Sequence, residues 1–205
     1  MSIGPAVRRA RSEEEPIVAA VLSDAFIDEA GLNYWLRQGA RKEAARRRFF
    51  KSAVRDVVHP KRALWIAESS GSTLGAAIWL APGQKAYDFS FTQQIKIMPL
   101  LLNVAGLSGG LRGLALGDKL DRMHPHEPHA HLVFLGVAPH AQGRGVGSEI
   151  LKATLAPLDA SKTPALLEAT TERNVALYQR HGFEVVDNLN LPDLHVRIMW
   201  RAPQR

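Results

Sequence analysis

The chain has 205 residues, of which 46% are hydrophobic and 22% charged. That is enough apolar material for one sizeable core and too little bias for a disordered or fibrous chain. The absence of cysteine excludes disulfides, thiolate metal sites and a cysteine nucleophile. The formal net charge of +6 is concentrated in the run from Arg37 to Arg48. No aromatic residue interleaves those cations, so the run reads as a solvated helix face and no nucleic-acid partner is expected.

The first residues, MSIGPAVRRARSEEEP, lack an apolar signal core, so a cytoplasmic location is expected. Ala6–Ala10 suits a short strand. Ser12 as a cap, the carboxylates Glu13–Glu15 and the early Pro16 predict a helix running to about Phe26. A second helix is predicted from about Arg41 to Val58, stopping before His59-Pro60. ALWIAE at 63–68 and TLGAAIWL at 73–80, flanking Ser-Ser-Gly-Ser, predict an antiparallel hairpin. Residues 91–122 are apolar and helical in rhythm, broken by Pro99 and the Gly106–Gly113 cluster. Lys96, Pro99, Asn103 and Arg112 interrupt any apolar run of ~20 residues, so a membrane span is not expected. The apolar stretch 91–116 is open to three roles: a wall of a ligand site, a lid, or a homodimer contact.

HLVFLGV at 131–137 is continuously apolar, as in a central strand covered on both faces. HAQGRGVGSEIL follows at 140–151. Then Val146, Ile150, Leu151, Leu155 and Leu158 recur at helical spacing. Ala165–Ala169 is predicted as a strand and Arg173–His181 as a helix closed by a left-handed Gly182. Phe183–Val186 and His195–Trp200 close the chain as strands. The order is mixed α/β.

Glycines between a buried strand and a helix start suit an anion. Glycines let backbone N–H groups approach closely, and the helix N-terminus adds unsatisfied donors with a partial positive charge. Two familiar phosphate loops do not fit. No lysine precedes a hydroxyl residue, as a triphosphate loop requires. The dinucleotide pattern has Gly143 and Gly145 but Ser148 in its third glycine position. What remains is Gln142-x-x-Gly145-x-Gly147, with Arg144 as a mobile cation, which suits a pyrophosphate. Downstream, Asn174 and Tyr178 are four apart and share a helix face. Glu168 lies on the preceding strand. An amide, a phenol and a carboxylate are thus expected to converge at the strand carboxyl ends. The histidines at 124, 126, 129 and 131 suggest a metal cluster, but no helical carboxylate or histidine pattern accompanies them, and no metal is expected.

Q-x-x-G-x-G after a buried strand, followed by N-x-x-x-Y-x-x-x-G-F after the next, resembles the GNAT superfamily of acetyl-CoA-dependent N-acetyltransferases. PHEPHAHLVFLGVAPHAQGRGVGS, PALLEATTERNVALYQRHGFEVV and the ending RIMWRAP resemble the puromycin N-acetyltransferase-like group in particular. The likeness lies in about residues 129–186 and is loose over the first half of the chain.

The resemblance implies an α/β GNAT fold: a mixed central sheet of about six to seven strands flanked by helices, with splayed central parallel strands. It implies one domain over 1–205. Residues 1–128 form the acceptor-side half, with a helical insertion at about 91–122, and 129–205 form the acetyl-CoA-binding half. By this likeness pantetheine pairs with Leu135 and Val137 as an added strand would. Gln142, Gly143, Arg144, Gly145, Val146, Gly147 and Ser148 hold the pyrophosphate, and Asn174 and Tyr178 contact the cofactor arm. The amine of a small molecule attacks the thioester directly. The N–H of Val137 stabilises the oxyanion, Tyr178 is the general acid, and Glu168, with His131 as a second candidate, is the base. A protein or peptide acceptor and a non-catalytic acyl-CoA sensor are the competing expectations.

Overall fold

The computed structural model describes residues 4–57, 62–84, 86 and 91–204. Seven strands form one sheet in the order β1-β2-β3-β4-β5-β7-β6. They are β1 (Ala6–Arg9), β2 (Ala63–Ser69), β3 (Ser72–Leu80), β4 (Ala130–Val137), β5 (Ala165–Ala169), β6 (Glu184–Leu191) and β7 (Leu194–Arg201). Every neighbouring pair is antiparallel except β4 with β5. The β2–β3 hairpin turns on Ser70 and Gly71, both at positive φ, the backbone that two-residue hairpin loops require.

Helices cover both faces. On one lie α1 (Glu15–Ala25), α2 (Ala30–Trp35), α3 (Lys42–Ser52) and α4 (Phe91–Met123), and on the other α5 (Val146–Ala160) and α6 (Glu172–Gln179). Two glycines show how closely these layers approach. A Cβ at Gly136 would stand 2.7 Å from the Ala25 side chain of α1, and one at Gly75 would stand 2.9 Å from Ile150 of α5. The core under α1–α3 holds Leu22, Phe50, Ile66 and Ile78, and the core under α5 holds Ile150, Leu151, Leu155 and Leu167. Each such side chain, once buried, contributes roughly 1.5–3 kcal/mol.

Several expectations need correction. Ser12 does not cap α1: residues 12–14 form a 3-10 turn, and Glu14 precedes the helix. The Glu14 carboxylate accepts from the Arg11 backbone N–H and from Arg8. The second helix ends at Ser52 and continues as a π turn over Ala53–Val57; the stop expected at His59-Pro60 lies outside the described residues. The short helix α2 has no counterpart in the sequence reading. The basic run is only partly a solvated face. Arg46 is buried and donates to the Ser23 carbonyl, and Arg37 donates to the carbonyls of Leu102 and Asn103.

That last contact explains α4. Pro99 sits inside the helix, and the break falls at Gly106 (φ 72°, ψ 179°). A break there leaves the carbonyls four residues earlier without helical partners. Arg37 covers them with its guanidinium at 2.6 and 2.8 Å, and its own N–H bonds the Val104 carbonyl at 2.9 Å. The next glycines do not break the helix; they let α2 touch it. A Cβ at Gly109 would lie 2.3 Å from the Trp35 carbonyl oxygen, and one at Gly113 would meet the Trp35 ring at 3.1 Å. By length and composition alone, Ile97–Met123 is sufficient to cross a bilayer, which interruption by Pro99, Asn103 and Arg112 does not prevent. Here Leu116 of that segment packs with Leu166, Val196 and Ile198 under the sheet.

Candidate active site

The sheet opens at its centre. β4 and β5 pair only at Ala130 with Ala165, His131 with Leu166 and Leu132 with Leu167. Beyond that point β4 stays on β3 and β5 stays on β7. The cause is a bulge: Ile78 of β3 opposes Phe134, but the next residue, Trp79, opposes Leu132. Val133 is therefore the extra residue, and such a residue bends its strand and disrupts the ladder. Strand alternation is also reset. Leu132 joins the core under α5, whereas Phe134 packs on the α1–α3 side.

Past the bulge, β4 has a free edge. The Ala138 N–H bonds the Leu74 carbonyl at 2.8 Å. Antiparallel alternation then turns the N–H and C=O groups of Val137 and Leu135 away from β3 and into the gap. The side-chain amide of Gln142 donates to the Val137 carbonyl at 3.2 Å.

The glycine loop closes one end of the gap. Gly143 and Gly145 have φ of 74° and 82°, and Gly145 caps α5 with no side-chain bond to the helix. The first helical bond runs from the Glu149 N–H to the Gly145 carbonyl, so the N–H groups of Val146, Gly147 and Ser148 are the unsatisfied donors of a helix start. They face a cleft of about 480 Å³ whose lining includes Val137, Gly143, Gly145, Gly147, Asn174 and Tyr178. The loop, a helix N-terminus and a strand edge together fit a diphosphate joined to an amide-bearing arm. Leu135, Val137, Gln142, Gly143, Gly145, Val146, Gly147, Ser148, Asn174 and Tyr178 all line this cleft; Arg144, expected there, is exposed and does not. Arg173 and Arg180 line it instead. Charges scattered on a helix gave no sequence signal for that placement. Ser148 Oγ lies 2.7 Å from Nε2 of His181, whose pKa is lowered by burial and by Lys152, Arg180 and Arg201.

A second cavity of about 140 Å³ adjoins the first and shares Phe26, Glu29, Leu135, Asn174 and Tyr178 with it. Tyr178 thus stands at the junction, as Glu168 does at the wall of the second cavity. The phenol is 7% exposed and makes no hydrogen bond among the described residues. Burial first, then the charges of Glu29 and Glu168, pushes its pKa well above the ordinary tyrosine value. It is therefore a proton donor at neutral pH, not a phenolate.

Glu168 accepts from two imidazoles. Nε2 of His124 lies 2.6 Å from Oε1, and Nε2 of His131 lies 2.8 Å from Oε2. Burial alone would raise the carboxyl pKa, but the His131 charge and the two hydrogen bonds outweigh it and hold Glu168 below the usual carboxylate range. Glu168 is thus an anion committed to two partners. The histidine group finds its carboxylate not on a helix but on β5, which delivers Glu168 across the sheet. These spacings are those of hydrogen bonds. Two ligand atoms on a shared tetrahedral zinc would stand roughly 3.3 Å apart. His129 is turned to the Glu127 carbonyl, and His126 is exposed.

Glu29 was missed. It caps α2 by accepting from the N–H groups of Gly31 (2.9 Å) and Leu32 (2.6 Å), and it accepts from Thr170 Oγ1 at 2.6 Å. An acidic residue before a helix is a recognised signal. Here the helix has only six residues, too few for a legible period.

The model of the acetyltransferase (GNAT) domain family matches residues 104–185, from the second half of α4 into β6. An uncharacterized N-acetyltransferase of Schizosaccharomyces pombe is 22% identical over 97% of this chain and 84% of its own length. The crystal structure of histone acetyltransferase HPA2 and related acetyltransferase from Corynebacterium glutamicum superposes with a TM-score of 0.78 at 25% identity, covering 99% of this chain and 98% of that one. An N-acetyltransferase from Staphylococcus aureus has the same fold at 13% identity, with a TM-score of 0.63, covering 95% of this chain and 99% of that one.

Proposed function

We propose that the chain, whose residues 104–185 match the acetyltransferase (GNAT) domain family and which resembles known acetyltransferases over its length, moves acetyl from acetyl-CoA to the primary amine of a small molecule, both bound at once. The observation that carries this reading is the continuity of the two cavities through Tyr178. One is shaped for a diphosphate and an extended amide arm, the other for a compact guest. The motif likeness to the puromycin N-acetyltransferase-like group supports a small acceptor.

In this reading acetyl-CoA lies along the free edge of β4. Leu135 and Val137 pair with its pantetheine amides, and the loop at 142–148 takes the diphosphate through backbone N–H groups. Arg144 serves as an outer cation, joined by Arg173 and Arg180. Asn174 contacts the arm. When bound, acetyl-CoA supplies an activated acyl carbon and a leaving thiolate.

The amine enters from the second cavity. Its nitrogen forms a bond to the acyl carbon while the carbon–sulfur bond breaks. The Val137 N–H faces the carbonyl oxygen on which charge develops, and Tyr178 gives its phenolic proton to the sulfur. The amine proton goes to the cluster of Glu168, His131 and His124. The three groups are joined by two hydrogen bonds through Glu168, so the base is the cluster and not one residue of it. No covalent enzyme intermediate is needed, in keeping with a chain that has no cysteine.

The test is release of free thiol from acetyl-CoA by the purified protein across a panel of primary amines that includes puromycin. Amine-dependent release is expected. Release only with peptides would assign a protein acceptor, a reading that the likeness to the Corynebacterium structure favours. Tight acetyl-CoA binding with no release from any acceptor would leave the sensor reading.

A further inference from the structure

We infer that the acceptor is a primary amine carried on an apolar body, aromatic or branched aliphatic, with no second charge and few hydroxyls. This rests on the small-molecule reading above and narrows it. The second cavity selects its guest by what it offers and what it withholds.

Its polar groups are Glu29, Glu168, Thr170, Asn174 and Tyr178, and the rest of its lining is apolar. Trp35 and Phe49 meet edge to face at 5.2 Å, and Phe49 meets Phe134 at 6.0 Å. α4 adds Leu116 and Leu120 one turn apart. Such edge-to-face rings favour another ring or a branched alkyl group among them. A hydroxyl placed among those rings would lose its water without gaining a partner. That disfavours sugars and polyols.

Its charges are of one sign. Glu29 and Glu168 line the cavity; among the described residues no lysine, arginine or histidine does. Both carboxylates retain accepting capacity. A carboxylate has about four lone-pair sites. Glu29 uses three, two on Oε1 and one on Oε2, and Glu168 uses one on each oxygen. One ammonium can therefore be held near the junction with Tyr178. A second ammonium would sit among Trp35, Phe49 and Leu116, unpaired. That disfavours diamines and polyamines, although two carboxylates at the mouth would attract them.

The experiment compares kcat/KM in thiol release for 2-phenylethylamine, 3-methylbutylamine, ethylamine and 1,4-diaminobutane. The wild-type protein is expected to favour one of the first two over both of the others by at least about tenfold, the worth of one buried apolar side group. The preference should appear chiefly in KM. Leu120→Glu, on the less buried of the two α4 positions, is expected to shrink the preference over 1,4-diaminobutane by about tenfold or more. Acetyl-CoA binding by the variant, read calorimetrically, reports that the fold has survived. Release that is equal across the four amines, or better with the diamine, would overturn the inference and leave the small-molecule reading standing. Release from peptides alone would remove both.

Discussion

The two cavities that meet at Tyr178 are made of different material. The larger is built from main chain: the free edge of β4, the positive-φ glycines of the loop and the first N–H groups of α5. The smaller is built from side chains brought by α2, α3, α4, β4 and β5. Main-chain recognition tolerates change at most positions while demanding glycine at a few. Side-chain recognition changes with every substitution. One half of the cleft is suited to a constant partner and the other to a partner that varies.

The contrast can be broken at its backbone end. Gly145→Val forces a β-branched residue to φ 82°, with a strain of about 1–3 kcal/mol, so acetyl-CoA affinity should fall roughly 5- to 150-fold by calorimetry. Normal affinity would remove the loop from the diphosphate role. At the junction, Tyr178→Phe should lower kcat about 100-fold while leaving acetyl-CoA affinity nearly unchanged. Unchanged turnover would take the acid role from Tyr178.

This division also decides what was legible. The loop at 142–148 and the pair Asn174 and Tyr178 stand out because backbone geometry and helix periodicity leave fixed spacings. The sheet order beyond the hairpin, and the meeting of His124, His131 and Glu168, are long-range events with no local pattern. Val133 is the clearest case. A bulge shifts strand alternation by one, but HLVFLGV has no alternation to shift, so the feature that opens the sheet is silent in the sequence. Glu29 and Arg37 are silent for another reason: each satisfies backbone groups of an element whose ends could not be placed. The glycines of α4 were visible but read alike, although Gly106 breaks the helix and Gly109 joins it to α2.

The acceptor side is sharpened by that pair of roles. Gly109→Ala should destabilise the protein by about 1–3 kcal/mol, because its Cβ would lie 2.3 Å from a backbone oxygen. Gly110→Ala meets nothing closer than Leu101 at 3.8 Å and should raise stability by up to about 1 kcal/mol through helix propensity. Thermal unfolding of the two variants reads both signs, and equal shifts would contradict the close approach of α2. The smallest effect lies farthest from the site. The Arg8 hydrogen bond, followed by the Arg11 N–H, lowers the Glu14 pKa from 4.5 to about 2. Its contribution is complete above pH 4.5 and is lost as pH falls through 2. The Tm difference between wild type and Glu14→Gln should therefore close over that interval; a constant difference would exclude the linkage.

Removing Val133 would let β4 and β5 continue in register toward their carboxyl ends. The slot would close like a zip, and Leu132, Phe134 and Leu135 would follow one another as in an unbroken strand, each keeping its face. Opening such a sheet thus requires no new element and no new loop. One surplus residue, placed in mid-strand, turns a structural seam into a place where another molecule completes the fold.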